Sequence, residues 1–129
     1  MIVDTSAIIA IVRREPEGPA FFDRVLEASR PAMSAATFVE ASLVIEGRAG
    51  RQAGADLNSF FAAAGIEVVA VTADAARLAR EAWRVWGRGN HPARLNFGDC
   101  FSYALAQERG EPLLFKGEDF ARTDVRRAV

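Results

Sequence analysis

Three carboxylates in this chain each stand alone inside an apolar stretch. They are Asp4 in residues 1–12, Glu40 in residues 31–45 and Asp99 in residues 95–107, and no other charged residue occurs in these stretches. An unpaired carboxylate in such surroundings loses hydration worth several kcal/mol. It must therefore bind a proton or face a cation. Three such acids in one small chain suggest that they share one cation.

The elements that position these acids alternate between strand and helix. Short apolar or β-branched runs predict strands over residues 2–3, 31–34, 66–71 and 113–115. Helical spacing of apolar residues, bounded by Gly, Pro and capping residues, predicts helices over residues 7–12, 19–28, 35–48, 53–64, 73–86 and 98–109. We expect Thr5 and Ser6 to cap the first helix. This alternation is typical of α/β proteins with a mostly parallel sheet covered on both faces.

A rule for such sheets places four acids together, because ligands bind beyond the carboxyl ends of the strands. Asp4 ends the first predicted strand, and Asp119 follows the last one. Glu40 lies in the helix after the second strand, and Asp99 lies in the first turn of the helix before the last strand. We therefore expect these four side chains to point to one edge of the sheet.

Four carboxylates at one edge favour a divalent metal. Carboxylate oxygens and water are the ligands of Mg²⁺ and Mn²⁺, and one or two such ions stabilise in-line displacement at a phosphodiester. The set therefore favours metal-dependent hydrolysis of RNA or DNA. Each acid also has a structural interpretation: Asp4 and Asp99 as helix-terminal residues, and Asp119 as a turn residue. Glu40 has the weakest structural explanation, because a buried mid-helix Glu needs a partner.

Composition limits the class of protein. With 129 residues and 50% hydrophobic content, we expect one domain over residues 1–129. The chain shows no membrane-length apolar segment, no leader and only one cysteine, so we expect a cytoplasmic protein. The net charge of −1 gives no general attraction to nucleic acid. A stripe of Arg77, Arg80 and Arg84 on one helix is a candidate RNA contact, with a solvated helix face as the alternative.

Four motifs occur in a specific order along the chain. They are IVDTSA at residues 2–7, VEA at residues 39–41, NFGD with YALA at residues 96–99 and 103–106, and LLFKGEDF at residues 113–120 with Thr123 and Asp124. In their order and spacing, over nearly the full length, they resemble the PIN-domain ribonucleases, and among them the VapC toxins of bacterial toxin-antitoxin pairs.

The resemblance implies a three-layer α/β/α sandwich around a parallel sheet. It also implies a Mg²⁺-dependent endoribonuclease, with Mn²⁺ as a second possible ion. In such proteins the acids matching Asp4 and Asp99 bind the metal directly. Those matching Glu40 and Asp119 complete the catalytic pocket, in some members through water.

Lesser roles follow from the same resemblance. Thr5 or Ser6 would orient the first acid, and Asp124 would belong to the outer shell of the site. Glu118 stands where many relatives have Asn or Asp. Which acid of the Glu118–Asp119 pair faces the metal therefore stays open.

Family membership further implies a homodimer and a small antitoxin bound near the active site in a higher-order complex. Apolar residues on the second and fourth helices are candidates for that contact, with ordinary core packing as the alternative for about half of them. They are Phe21, Phe22, Val25, Leu26, Phe60 and Phe61. Trp83 and Trp86 are candidates for a dimer contact, with core packing as the alternative.

Other classes of protein fit the residues less well. A phosphoryl-receiving regulatory domain would use a lysine such as Lys116, but it needs an acidic pair after the first strand and an Asp after the strand at 66–71, and neither is present. An aspartate-nucleophile phosphatase needs a second acid two residues after Asp4, where Ser6 stands. Two alternatives stay open: a PIN-fold nuclease outside any toxin-antitoxin pair, and a non-catalytic PIN-like RNA- or protein-binding module. The second predicts missing acids, and none is missing.

Overall fold

The chain forms four short strands and six helices, and two helices follow each of the first three strands, as the sequence predicts. The structure is a computed structural model that describes residues 1–129. Its elements are β1 (Ile2–Val3), α1 (Thr5–Val12), α2 (Gly18–Glu27), β2 (Ala32–Ser34), α3 (Ala35–Ala49), α4 (Arg51–Ala63), β3 (Glu67–Val69), α5 (Ala73–Trp86), α6 (Phe97–Arg109), β4 (Leu113–Leu114) and a 3-10 turn (Phe120–Arg122). None of the helices has the length and apolar character needed to cross a membrane.

The four strands form one parallel sheet in the order β3-β2-β1-β4. Ile2 of β1 is in register with Ala32 of β2 on one side and with Leu113 of β4 on the other. β1 is therefore a central strand. Its carboxyl end, where Asp4 follows, lies in the middle of the sheet edge.

Helices cover both faces of this sheet. Successive residues of a strand point to opposite faces, and accordingly Val3 and Ile2 belong to two separate core clusters. Helices α1 to α4 pack on the Val3 side, whereas α5 and α6 pack on the Ile2 side. This three-layer α/β/α sandwich confirms the predicted fold class.

Two predictions about the elements are wrong. Thr5 and Ser6 do not cap α1, because Asp4 is the N-cap residue and its carboxylate accepts a hydrogen bond from the Ser6 backbone. β3 is shorter than the predicted 66–71, because its partner β2 offers only three residues. β2 ends at Ser34, whose side chain caps α3. The other boundaries agree with the predictions within two residues.

Candidate active site

Asp4 lies where β1 passes directly into α1. Its Oδ2 accepts hydrogen bonds from the Ser6 backbone N–H at 2.9 Å and from the Ser6 hydroxyl at 2.6 Å. Its Oδ1 accepts a hydrogen bond from the Ser102 hydroxyl of α6, also at 2.6 Å. Only 3% of Asp4 is exposed. Because three donors replace the lost water, this carboxylate is both buried and fixed in orientation.

Asp99 is positioned by the first turn of α6. The Asn96 side chain accepts from the Asp99 backbone N–H at 2.9 Å, and Asp99 Oδ2 accepts from the Asn96 backbone N–H at 3.0 Å, which together form a capping box. Burial raises the pKa of Asp99 to about 7, and the charges of Asp4, Asp119 and Glu40 add to the increase, against the opposing hydrogen bond from Asn96. The four predicted acids therefore interact at one place.

Glu40 reaches this place from the second turn of α3. The residue is half-buried, and its carboxylate lies against Gly98 in the first turn of α6. The contact is so close that a Cβ at residue 98 would overlap Glu40 Oε2. Gly98 therefore leaves space for the Glu40 carboxylate next to Asp99.

Asp119 approaches from the segment that follows β4. It is exposed and stands immediately before the 3-10 turn. Phe120 is buried and packs against Phe115, with ring centroids 5.2 Å apart, which anchors this segment to the core. Asp119, and not Glu118, is among the charges that raise the pKa of Asp99. This pattern favours Asp119 as the acid of the pair that faces the site.

Ser6 and Thr5 have different surroundings. The Ser6 hydroxyl donates to Asp4 and also accepts from the backbone N–H of Lys116 at 3.0 Å. It thus ties the end of β1 to the segment after β4. The Thr5 hydroxyl is buried and has no hydrogen-bond partner. Of the two residues suggested to orient Asp4, only Ser6 contacts its carboxylate through a hydrogen bond.

Asp124 is held further along α6. It accepts hydrogen bonds from the Tyr103 hydroxyl at 2.6 Å and from the Gln107 side chain at 3.4 Å. Its charge is not among those that act on Asp99. The structure therefore gives Asp124 a contact that ties the end of the chain to α6 and does not bring it to the four acids.

Lys116, the only lysine, is also engaged elsewhere. Its Nζ pairs with Glu15 at 2.5 Å and with Glu17 at 3.2 Å. It is not among the charges that act on Asp99. The site therefore lacks the free lysine that a phosphoryl-receiving domain would use.

Two buried hydroxyls that the sequence analysis does not identify extend the network. Ser102 and Thr37 are 0% and 1% exposed, and their hydroxyl oxygens lie 3.1 Å apart. Ser102 follows Asp99 by three residues on α6, and Thr37 precedes Glu40 by three residues on α3. This spacing is the sequence signal that places the two hydroxyls near the acids, because residues three apart on a helix lie on the same side.

The chemistry of the donor set fits a divalent cation of the Mg²⁺ type. Mg²⁺ takes one or two carboxylates and keeps several waters. The structure has no group of three or more His, Cys, Asp or Glu side chains close enough to enclose an ion, so the acids do not form a closed protein cage. The raised pKa of Asp99 shows that its negative charge is poorly compensated. A cation shared with Asp4 would supply that compensation.

A groove of about 660 Å³ lies between α5 and α6. Its lining is mostly apolar and includes Trp83 and Phe97, of which Phe97 is 81% exposed. Arg80 and Arg88 are its two cationic residues. Asn96, the N-cap residue of α6, also lines the groove, and α6 carries Asp99 in its first turn. The groove therefore begins next to the acidic site.

The predicted arginine stripe on α5 is divided in the structure. Arg77 pairs with Asp74 at 2.8 Å, and Arg84 pairs with Glu81 at 3.4 Å. Arg80 forms no ion pair and faces the groove. Within the stripe, the arginine without a carboxylate partner is therefore the one at the groove, Arg80.

The apolar residues considered for partner contacts divide between core and surface. Phe21, Val25 and Phe61 are buried, Phe60 is half-buried, and Phe22 and Leu26 are exposed. Of the two tryptophans, Trp86 is half-buried and donates a hydrogen bond to Tyr103, whereas Trp83 is 49% exposed. Exposed apolar surface therefore remains for partner contacts at Phe22 and Leu26 on α2 and at Trp83 on α5.

Comparison with known proteins shows the family. The PIN domain family matches residues 1–126. Ribonuclease VapC30 from Mycobacterium tuberculosis is 47% identical over 125 residues, which cover 97% of this chain and 95% of the relative. Ribonuclease VapC28 from the same species is 48% identical over 130 residues, which cover 100% of this chain and 98% of the relative. The chain therefore belongs to the PIN-domain family and is a VapC-type member of it.

Two solved structures share the fold. Mycobacterium tuberculosis VapC20, described as a sarcin-ricin loop cleaving toxin, aligns with a TM-score of 0.77 at 20% identity and covers 96% of this chain and 95% of its own. A toxin-antitoxin complex from Klebsiella pneumoniae aligns with a TM-score of 0.71 at 17% identity and covers 95% and 92%. At these identities the similarity concerns the fold alone.

Proposed function

We propose that this protein is a Mg²⁺-dependent endoribonuclease that also accepts Mn²⁺, and that it is the toxin of a type II toxin-antitoxin pair. The observation that carries the proposal is the convergence of Asp4, Glu40 and Asp119 on Asp99 at the carboxyl edge of the sheet. Similarity to proteins named VapC ribonucleases, over nearly the whole chain, supports RNA as the substrate.

Asp4 and Asp99 are the proposed direct ligands, and Glu40 and Asp119 are proposed to act through water. When bound, the metal supplies an activated water and stabilises charge on the phosphate. Asp4 is held in one orientation by its three hydrogen bonds. Asp99 must release its proton before it can bind a cation. Because the pKa of Asp99 is about 7, we expect metal affinity and cleavage to rise with pH up to that value.

The groove between α5 and α6 is the proposed path of the RNA beside the site. Arg80 and Arg88 are suited to bind phosphate, because a guanidinium group matches a phosphate in bidentate geometry. The exposed Phe97 offers an aromatic face on which an unpaired base can stack. Arg77 and Arg84, at the other positions of the stripe, should contribute less than Arg80, because each already pairs with a carboxylate.

The proposed partners are a small antitoxin and a second copy of the chain, as a homodimer that joins the antitoxin in a higher-order complex. The likeness of the fold to a toxin-antitoxin complex is consistent with the first. The exposed Phe22 and Leu26 offer apolar surface for the antitoxin, and Trp83 offers it for the dimer. We further propose that residues 1–129 act as a single PIN domain in the cytoplasm.

The nuclease assignment is tested by incubating purified protein and a mixed RNA pool with Mg²⁺, Mn²⁺ or EDTA. Asp99→Asn retains an acceptor for the capping box but removes the proposed ligand, and Asp23→Asn changes an exposed carboxylate on α2 as a control. We expect cleavage that needs metal and is lost only in Asp99→Asn. A folded protein that binds RNA without cutting it under any condition would support a binding module instead.

The toxin assignment needs a separate test. Expression of the wild-type protein should arrest growth, and Asp99→Asn should abolish the arrest. Co-expression of a short neighbouring reading frame should relieve it. Metal-dependent cleavage in vitro without growth arrest would instead indicate a PIN nuclease outside any toxin-antitoxin pair.

A further inference from the structure

A directed chain of hydrogen bonds ends on the Asp4 carboxylate. Ser102 donates its single hydroxyl proton to Asp4 Oδ1 at 2.6 Å. At the contact of 3.1 Å between Ser102 and Thr37, the Ser102 oxygen must therefore accept and the Thr37 hydroxyl must donate. Both hydroxyls are fully buried, so no water competes for these bonds. The chain runs in one direction, from Thr37 through Ser102 to Asp4.

The acceptor capacity of Asp4 shows what this chain does. An ionised carboxylate has about four acceptor sites, two on each oxygen. Oδ2 accepts from both the backbone N–H and the hydroxyl of Ser6. Oδ1 accepts only from Ser102, which leaves one site on this oxygen without a protein donor. The hydrogen bond from Ser102 therefore decides the direction in which the free site of Oδ1 points.

The same chain joins the three elements that carry acids. Ser102 lies one turn after Asp99 on α6, and Thr37 lies one turn before Glu40 on α3. Hydrogen bonds thus connect both helices to Asp4 at the end of β1. A shift of either helix would change the orientation of Asp4.

We infer that Ser102, held by Thr37, is a positioning residue that aims the free acceptor site of Asp4 Oδ1 into the acidic pocket. The inference rests on the proposed metal site and adds two residues that do not touch the metal. Residues that orient a metal ligand contribute about 10- to 100-fold to metal affinity or activity. Ser102 acts through Asp4, and Thr37 acts only through Ser102.

The test is calorimetric titration of the RNA-free protein with Mn²⁺, together with circular dichroism and thermal unfolding. Ser102→Ala should keep the fold and weaken Mn²⁺ binding by about 10- to 100-fold. Thr37→Val removes the hydroxyl at nearly constant volume and should weaken binding less. Thr37→Ser keeps the hydroxyl and should bind Mn²⁺ like the wild type. The double variant Ser102→Ala/Thr37→Val should bind no more weakly than Ser102→Ala alone, because the two residues act in series.

Several outcomes would overturn the inference. Unchanged Mn²⁺ affinity in a folded Ser102→Ala protein would reduce Ser102 to a packing role, even if its stability falls. Additive losses in the double variant would show that Thr37 does not act through Ser102. If Ser102→Ala does not fold, equal Mn²⁺ affinities of Thr37→Val and Thr37→Ser would show that the hydrogen bond from Thr37 to Ser102 does not affect the metal site. Failure of the proposed function is distinguishable, because the wild type itself would then bind no Mn²⁺, and this result would reject both proposals.

Discussion

Replacing Asp99 with asparagine is expected to stabilise the metal-free protein, although it removes a proposed ligand. Burial, and then the charges of Asp4, Asp119 and Glu40, raise the pKa of Asp99 from 3.8 to about 7 in the folded state. The unfolded chain lacks these influences and releases the proton near 3.8. Between these values the folded state holds more protons than the unfolded state. The contribution of Asp99 to the free energy of unfolding therefore falls as the pH rises to about 7, and is constant above it.

The size of the effect has an upper bound set by the pKa change. A displacement from 3.8 to about 7 corresponds to about 4 kcal/mol. Asp99 is only half-buried, so solvent screens part of this energy. Asparagine can still accept from the Asn96 N–H, but it loses a charge that is favourable at a helix N-terminus by about 0.3–1 kcal/mol. We expect a net gain of about 1–3 kcal/mol at about pH 8 and almost no difference near pH 4.

Urea unfolding in EDTA, followed by circular dichroism from about pH 4 to about pH 8, measures this difference. The gap between Asp99→Asn and wild type should widen with pH, whereas the gap for Asp23→Asn, an exposed carboxylate on α2, should stay constant. Added Mg²⁺ should stabilise the wild type and not Asp99→Asn, because a ligand of the folded state raises its stability. A gap for Asp99→Asn that does not change with pH would show that neither burial nor the neighbouring acids destabilise the Asp99 carboxylate.

Two further comparisons test the placement of Glu40 and of the groove. Gly98→Ala puts a Cβ into the space of Glu40 and should weaken Mn²⁺ binding. Gly47→Ala, in open space on α3, should bind Mn²⁺ normally and raise the free energy of unfolding by up to about 1 kcal/mol. Equal calorimetric affinities of the two variants would remove Glu40 from the site. Arg80→Gln should lower RNA affinity and reduce the slope of log affinity against log salt by about 0.7, whereas the ion-paired Arg77 should contribute less when changed to Gln. Equal slopes for wild type and Arg80→Gln in a binding titration would exclude Arg80 as a phosphate contact.

The sequence predicts the fold well, because its main signals are local and strong. The first strand consists of two fully buried residues, Ile2 and Val3. Helix-forming segments with clear caps or glycine ends separate the strands. The rule that ligands bind at the carboxyl edge of a parallel sheet then brings the isolated acids to one place. Asp4 and Asp99 stand out because a single charge in an apolar run is rare. Their roles as metal ligands stay predictions until a metal is observed.

Other features of the site depend on side-chain directions that a sequence does not contain. Ser102 and Thr37 carry no charge, so neither stands out in an apolar helix, and only the structure shows that they share a hydrogen bond beneath Asp4. The arginine stripe has helical spacing, but spacing alone does not reveal that Arg77 pairs with Asp74. In each case the sequence does not show which of several neighbours the side chain contacts.

The proposed metal site is tested most directly by a crystal structure of the wild-type protein soaked in Mn²⁺, with anomalous scattering used to locate the metal. We expect an anomalous peak bound by Asp4 and Asp99, with Glu40 and Asp119 within reach of its waters. We also expect Oδ1 of Asp4 to be the ligating atom. A metal bound elsewhere, or no peak at these acids in protein that cleaves RNA only with Mn²⁺, would show that the four acids are not the metal site.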